Sequence, residues 1–357
     1  MRVQSPVTSA NGSAKAVEST QMFLEAQSAS DAVRAQLRED ASEIARLGAV
    51  IRALAPRAVI TCARGSSDHA ATYAKYLIET RARVLTASAA PSVSSVYGID
   101  QDLRGCLFIA ISQSGRSPDL LASVAAAKAS GATVLAICNS ADAPLVTAAH
   151  HVIALRAGLE VSIAATKSYL ATLAAIARLV AAWTENSTLQ AALEELPGLM
   201  DRAWQLDWSR PLPLLQTAEH LYVVGRGLGL GAAQEVALKF KETCGLHAES
   251  FSSAEVRHGP FTLLGPRFPA LLLAQNDATR AGLEALAAEL AARGIPVFIA
   301  GAAAANGAHA LPTLECAAEL GPILAVQSAY RMIAELAVRR GFDPDRPASL
   351  SKITETL

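Results

Sequence analysis

The stretch "SQSGRSPD", Ser112 to Asp119, sets Ser112, Gln113, Ser114 and Ser117 close together at the end of the apolar run "LFIAI". Hydroxyls and amides gathered after a strand-like segment suit one task in particular, the holding of an anion through O–H and backbone N–H donors, with no lysine required. Ser117, Pro118 and Asp119 form a helix start, with an N-cap serine, proline at the first helical position and an acid in the first turn. The unpaired N–H groups and positive dipole end of that helix add to the anion site. Ser66 and Ser67 in "ARGSSDHA" close a second apolar run, "AVITCA", and would face the first cluster if the two strands are neighbours. The expected chemistry is a phosphate cradle.

Three further places could move protons. Glu235, Lys239 and Glu242 in "QEVALKFKETCG" recur at i, i+4 and i+7 and so share one helix face. On an exposed helix they would be ordinary salt bridges, but the apolar Val236, Ala237, Leu238 and Phe240 around them imply partial burial and movable pKa values. His258 ends a polar loop before Gly259-Pro260, where an imidazole can both give and take a proton near neutral pH. Lys352 lies in the tail "ASLSKITETL"; if that tail folds over the ligand, its amine becomes available to a sugar carbonyl. His69, His150, His151 and His247 make weaker cases. No HxH, HExxH or clustered acid pattern accompanies the histidines, so no metal is expected. "GRGLGLG" has Leu230 where a dinucleotide fingerprint needs its third glycine, so no nicotinamide or other cofactor is expected either.

The elements that must position these groups follow from composition and periodicity. The chain has 357 residues, 52% of them hydrophobic, enough for two cores, and its 31 basic and 32 acidic residues provide no broad field for nucleic acid or an anionic membrane. Five scattered cysteines lack zinc-site spacing and read as reduced thiols. No apolar stretch approaches a membrane span, and a cytoplasmic location is expected. Residues 1–19 read as a loose leader and 20–55 as two amphipathic helices. Beyond them the chain repeats itself: Arg64-Gly65 falls on Arg226-Gly227 and Gln113 on Gln275, both at an offset of 162, and Gly131 falls near Gly294. Each copy alternates Val/Ile/Leu-rich strands with helical segments, which predicts an α/β fold of two doubly wound parallel-sheet domains, 56–205 and 206–342, followed by a crossover tail, 343–357. The second copy has Leu228, Asn276 and Asp277 where the first has its hydroxyls, so only the first copy is expected to hold phosphate.

Taken together, "RGSS", "SQSGRSPD", "ATKSYLAT", "ALKFKE", "HAESFSSAEVRHGP" and "LSKITETL" resemble the double sugar-isomerase (SIS) family, and in particular the isomerase half of glutamine–fructose-6-phosphate aminotransferases, over about residues 20–357. The resemblance implies that Ser66, Ser67, Ser112, Gln113, Ser114 and Ser117 bind the phosphate and nearby sugar hydroxyls. It implies that Glu242 shuttles a proton between C1 and C2, that His258 opens the pyranose ring, and that Lys352 meets the open-chain carbonyl, with Lys239 and Glu235 in support. It further implies a homodimer in which His258 reaches the neighbouring subunit's site. The chain departs from the aminotransferases in starting Met1-Arg2, with no N-terminal cysteine to release ammonia from glutamine. It also has Ser117 for the usual threonine, Arg116 for an acid and Ala165 for a serine. The "SQSGRSPD" form is closer to stand-alone SIS deaminases. The expected reaction is therefore conversion of glucosamine 6-phosphate and water to fructose 6-phosphate and ammonia. A galactosamine phosphate or fructosamine 6-phosphate substrate and a non-catalytic sugar-phosphate sensor are the alternatives.

Overall fold

The computed structural model describes residues 16–304, 307–347, 350 and 352. Most of the leader and most of the tail thus lie outside the described residues. Among the described residues, ten strands form two five-stranded sheets. The first holds β1 (Ala58–Cys62), β2 (Thr86–Ser88), β3 (Cys106–Ser112), β4 (Thr133–Cys138) and β5 (His151–Ala154); the second holds β6 (His220–Gly225), β7 (His247–Ser252), β8 (Ala270–Leu273), β9 (Val297–Ala300) and β10 (His309–Leu311). The orders β2-β1-β3-β4-β5 and β7-β6-β8-β9-β10 are the same topology, and every pairing is parallel. The repeat seen in the sequence is thus a repeat of folds.

Each sheet buries both faces, which explains its apolar runs. Along β3, Leu107, Ile109 and Ile111 enter the large central core while Phe108 and Ala110 face a separate outer core. In β6, Leu221 and Val223 enter the same central core, and Tyr222 and Val224 face outward into a third cluster. Both sheets therefore share one core across the middle of the molecule. Among the described residues, three α-helices precede β1 instead of the expected two: Gln21–Gln27, Ala29–Glu39 and Ala41–Leu54. The pattern that reads as one element divides at Ser28, which caps both neighbours.

Where the two copies meet, helix Ser66–Arg81 after β1 crosses helix Gly229–Cys244 after β6. The closest approach pairs His69 with Gly231, positions one repeat apart. A Cβ at Gly231 would stand 2.4 Å from the His69 carbonyl oxygen and 3.0 Å from the Tyr73 nitrogen. Both obstacles are backbone and cannot swing aside. Gly231→Ala is expected to destabilise the fold by about 1–3 kcal/mol through overpacking, read as a lower unfolding temperature; an unchanged transition would show that the helices can separate freely.

Candidate active site

In both sheets the strand order reverses between the first strand and the third, and the loops leaving those strands border the crevice where α/β proteins bind ligands. In the first sheet these are the loops after β1 and β3, so Ser66 and Ser67 stand beside Ser112, Gln113, Ser114 and Ser117, as neighbouring strands require. Arg64 joins the loops by a 2.8 Å ion pair to Asp119, which is 1% exposed on the helix after β3. The Ser112 hydroxyl accepts the Gly115 N–H at 2.9 Å and tightens the turn. Gly115 has φ +64°, and a Cβ there would lie 2.6 Å from the Ala143 side chain, so glycine alone fits. Ser117 occupies the N-cap position of Pro118–Ala129, but its side chain makes no capping bond, and neither do Ser66 or Ser67 cap their own helix. Arg116 is drawn aside to Asp142 at 2.8 Å.

In the corresponding loops of the second sheet the polar groups bond to one another, beside a cavity of about 550 Å³ lined by Gly227, Leu228, Asp277 and Thr279. Asp277 accepts the Thr279 N–H and hydroxyl at 2.8 and 2.6 Å, and the Gln275 amide donates to the Arg226 carbonyl and the Thr279 hydroxyl. A carboxylate thus sits on the N–H that an anion would use. Calorimetric titration with a sugar phosphate is expected to give one site per chain; two equivalent sites would overturn that reading.

Glu235, Lys239 and Glu242 do share one helix face, and the first two are more deeply buried than their sequence suggests. Glu235 and Lys239 are both 0% exposed, and Lys239 Nζ lies 3.2 Å from Glu235 and 2.6 Å from Glu242. Lys239 Nζ also donates to the Ser66 hydroxyl at 3.0 Å, tying this helix directly to the serine loop after β1. Glu235 is the hub: Ser66, His69 and Tyr330 reach it at 3.2, 3.1 and 2.8 Å. Burial pushes the Glu235 carboxyl up, but the Lys239 ammonium, His69 and Tyr330 outweigh it and hold the group down at about 2. Burial likewise works against the Lys239 charge, and Glu235 and Glu242 reverse it, leaving the ammonium above its ordinary range. Burial first and Glu235 second push the Tyr330 phenol up, so it remains a donor.

Lys352 lies against the loop that leads into helix Lys167–Trp183. Its Nζ donates to the Ser162 carbonyl at 2.5 Å and is 3.5 Å from Glu160, whose side chain is fully buried and accepts the Thr166 and Ser168 N–H groups. Glu25 on the first helix accepts the Val161 and Ser162 N–H groups, so two carboxylates fix this loop. The Ser162 and Thr166 hydroxyls are buried, with no hydrogen-bond partner among the described residues. Tyr169, just beyond, donates to the Gly231 carbonyl and links the loop to the Glu235 helix.

His258 stands elsewhere. It closes the turn Glu255–Arg257 after β7, exposed, and borders a cavity of about 480 Å³ with Arg226, Arg257 and Thr279. The structure therefore brings together Ser66, Lys239, Glu235 and Glu242, sets the other serines and Gln113 beside Ser66, places Lys352 on the neighbouring loop, and leaves His258 apart within one chain. Sequence reasoning gave His69 only a weak case, named Asp119 only as a first-turn acid, and missed Tyr330 and Glu160. Of the two missed, Glu160 carried a signal, as an acid between apolar neighbours in "GLEVSIAATKS". Among the described residues, no helix is long and apolar enough to cross a membrane.

Two parallel sheets of one topology, with a hydroxyl-lined crevice on the first, define a double phosphosugar-isomerase-type fold. The chain belongs to the SIS domain family, whose model matches residues 55–182 and 214–308. It is 33% identical over 334 residues to glutamine–fructose-6-phosphate aminotransferase [isomerizing] of Legionella pneumophila (strain Lens), covering 90% of this chain but 54% of the relative. The chain thus spans about half the length of the curated relatives it matches. Among solved structures, a candidate phosphosugar isomerase from Silicibacter pomeroyi DSS-3 superposes with a TM-score of 0.88 at 40% identity, over 91% of this chain and all of that one. Glucosamine-6-phosphate deaminase from Thermotoga maritima shares the fold, with a TM-score of 0.73 at 19% identity over 94% of this chain and all of that one.

Proposed function

We propose that this chain is a phosphosugar isomerase that deaminates glucosamine 6-phosphate to fructose 6-phosphate and ammonia. The observation that carries the reading is the buried Lys239 ammonium, bonded at once to Ser66 of the serine loops and to Glu242. It supports a reading in which a carboxylate base lies within one side chain of a phosphate cradle. In the proposed course the serines and Gln113 hold the phosphate, Glu242 takes the C2 proton of the open-chain amino sugar and returns it to C1, and the C2 imine that results is hydrolysed by water. Lys352 holds the carbonyl end, and the Ser162 and Thr166 hydroxyls, without partners among the described residues, suit sugar hydroxyls. The aminotransferase relatives, named for fructose 6-phosphate, support the sugar, and the deaminase of like fold supports loss of ammonia. A small phosphorylated metabolite as substrate is consistent with a cytoplasmic enzyme.

The test is ammonia release from glucosamine 6-phosphate, galactosamine 6-phosphate and fructosamine 6-phosphate in parallel, with the ketose product followed by a coupled assay. Ammonia with fructose 6-phosphate from the first alone is the expected result. Binding of sugar phosphate without turnover of any would replace the reading with that of a sensor.

The exposed position of His258 supports a homodimer in which it opens the ring in the partner's site. Glu242→Gln and His258→Ala proteins, each inactive alone, are then expected to recover up to about a quarter of wild-type activity when mixed and reassembled, because one site in four regains both residues. No recovery in demonstrably mixed dimers would confine His258 to its own chain.

A further inference from the structure

We propose that His69 is a positioning residue for the reaction, acting through Glu235 and Lys239 on Glu242. The proposal rests on the reading of Glu242 as the base. The four groups form one continuous chain: His69 Nδ1 to Glu235 Oε2 at 3.1 Å, Glu235 Oε1 to Lys239 Nζ at 3.2 Å, and Lys239 Nζ to Glu242 Oε2 at 2.6 Å. The two middle members are fully buried, while the side chains of His69 and Glu242 are 19% and 21% exposed. The chain of bonds therefore surfaces at both ends.

The two oxygens of Glu235 are held unequally. Tyr330, Ser66 and Lys239 all meet Oε1, and His69 is the partner that meets Oε2. A carboxylate can only accept, so the proton of that bond sits on His69 Nδ1, and the other ring nitrogen points away from Glu235. With Oε2 held, the carboxylate plane is fixed and Lys239 stays shared between two acids. Without it the carboxylate can turn, Lys239 loses part of its hold on Glu235, and its charge passes to Glu242, which is then a weaker base. His69 can do this because helix Ser66–Arg81 crosses the Glu235 helix at Gly231, directly against its backbone.

His69→Leu keeps the bulk and removes the donor, whereas His69→Asn keeps an amide N–H close to the place of Nδ1. The leucine variant is expected to lose at least about tenfold in kcat with KM for the sugar phosphate within about threefold, the size that loss of a hydrogen bond to a charged group produces. The asparagine variant is expected to stay within about threefold of wild type in both. Leucine turnover equal to wild type, or an asparagine variant as impaired as the leucine one, overturns the proposal. If the leucine variant does not fold, His69→Ala assayed with added imidazole answers the same question. Recovery of kcat supports the role, and a folded, sugar-binding variant that imidazole does not rescue overturns it. Glu242→Gln is measured alongside: if that variant turns over normally, the base reading itself is lost and takes this proposal with it, whereas a dead Glu242→Gln with an unimpaired His69→Leu removes His69 alone.

Discussion

Glu242→Gln is expected to lower kcat by about 10²–10⁴, the usual contribution of a positioned acid–base group. Glutamine preserves the volume and an oxygen that can accept from Lys239, so the 2.6 Å contact and the helix face survive. What disappears is the ability to carry a proton from C2 to C1 in the proposed course. The serine loops proposed to hold the phosphate lie on other elements, after β1 and β3, and remain intact. Affinity for the sugar phosphate should therefore stay within a few fold while turnover collapses, the signature of an interaction made in the transition state. Exchange of the C2 hydrogen with solvent deuterium should stop in parallel. A variant within about tenfold of wild-type turnover would remove Glu242 from the proton-moving role.

The second large effect is on stability. Lys239→Met leaves Glu235 inside the protein without its main counter-charge, and breaking a buried pair from one side costs roughly 3–5 kcal/mol. The loss has a defined pH dependence. In the wild type Glu235 is held at about 2, below the ordinary value of 4.5, despite burial that pushes it the other way. A depressed carboxyl stabilises the fold above its unfolded pKa, and that contribution fades as pH falls toward the folded value. In the variant the same carboxyl must either stay charged and uncompensated or take a proton. The gap in unfolding temperature between wild type and Lys239→Met should accordingly be widest near neutrality and shrink between about pH 4.5 and 2. A gap constant across that range would show that Glu235 does not depend on Lys239 for its charge. Removing both groups, as in Glu235→Leu with Lys239→Met, should restore part of the stability and none of the activity.

The parts of this molecule that the sequence disclosed are those governed by local physics. The apolar runs of β1, β3, β4, β6, β8 and β9 are legible because parallel strands covered on both faces need continuous hydrophobic stretches. β2 and β7 are edge strands with more polar residues, Thr86–Ser88 and His247–Ser252, and no periodicity marks them. The i, i+4, i+7 spacing placed Glu235, Lys239 and Glu242 on one face, and the structure keeps them there. That spacing could not disclose that Glu235 and Lys239 are fully buried while Glu242 stays partly exposed, because burial depends on helices Ser66–Arg81 and Gly321–Arg339 packing over the face.

The sequence by itself determined the two-copy α/β organisation, the serine loops, the loss of hydroxyls from the second copy and the shared face of the acid–lysine trio, since each follows from spacing along one segment. The tertiary structure alone decided which distant residues complete the site. His69 and Tyr330 converge on Glu235 from two other helices, Arg64 reaches Asp119 across two loops, and Glu160 meets Lys352 from far along the chain. These meetings are set by how the layers stack around a common core, and a buried carboxylate takes its partners from whatever elements that packing brings within hydrogen-bond reach.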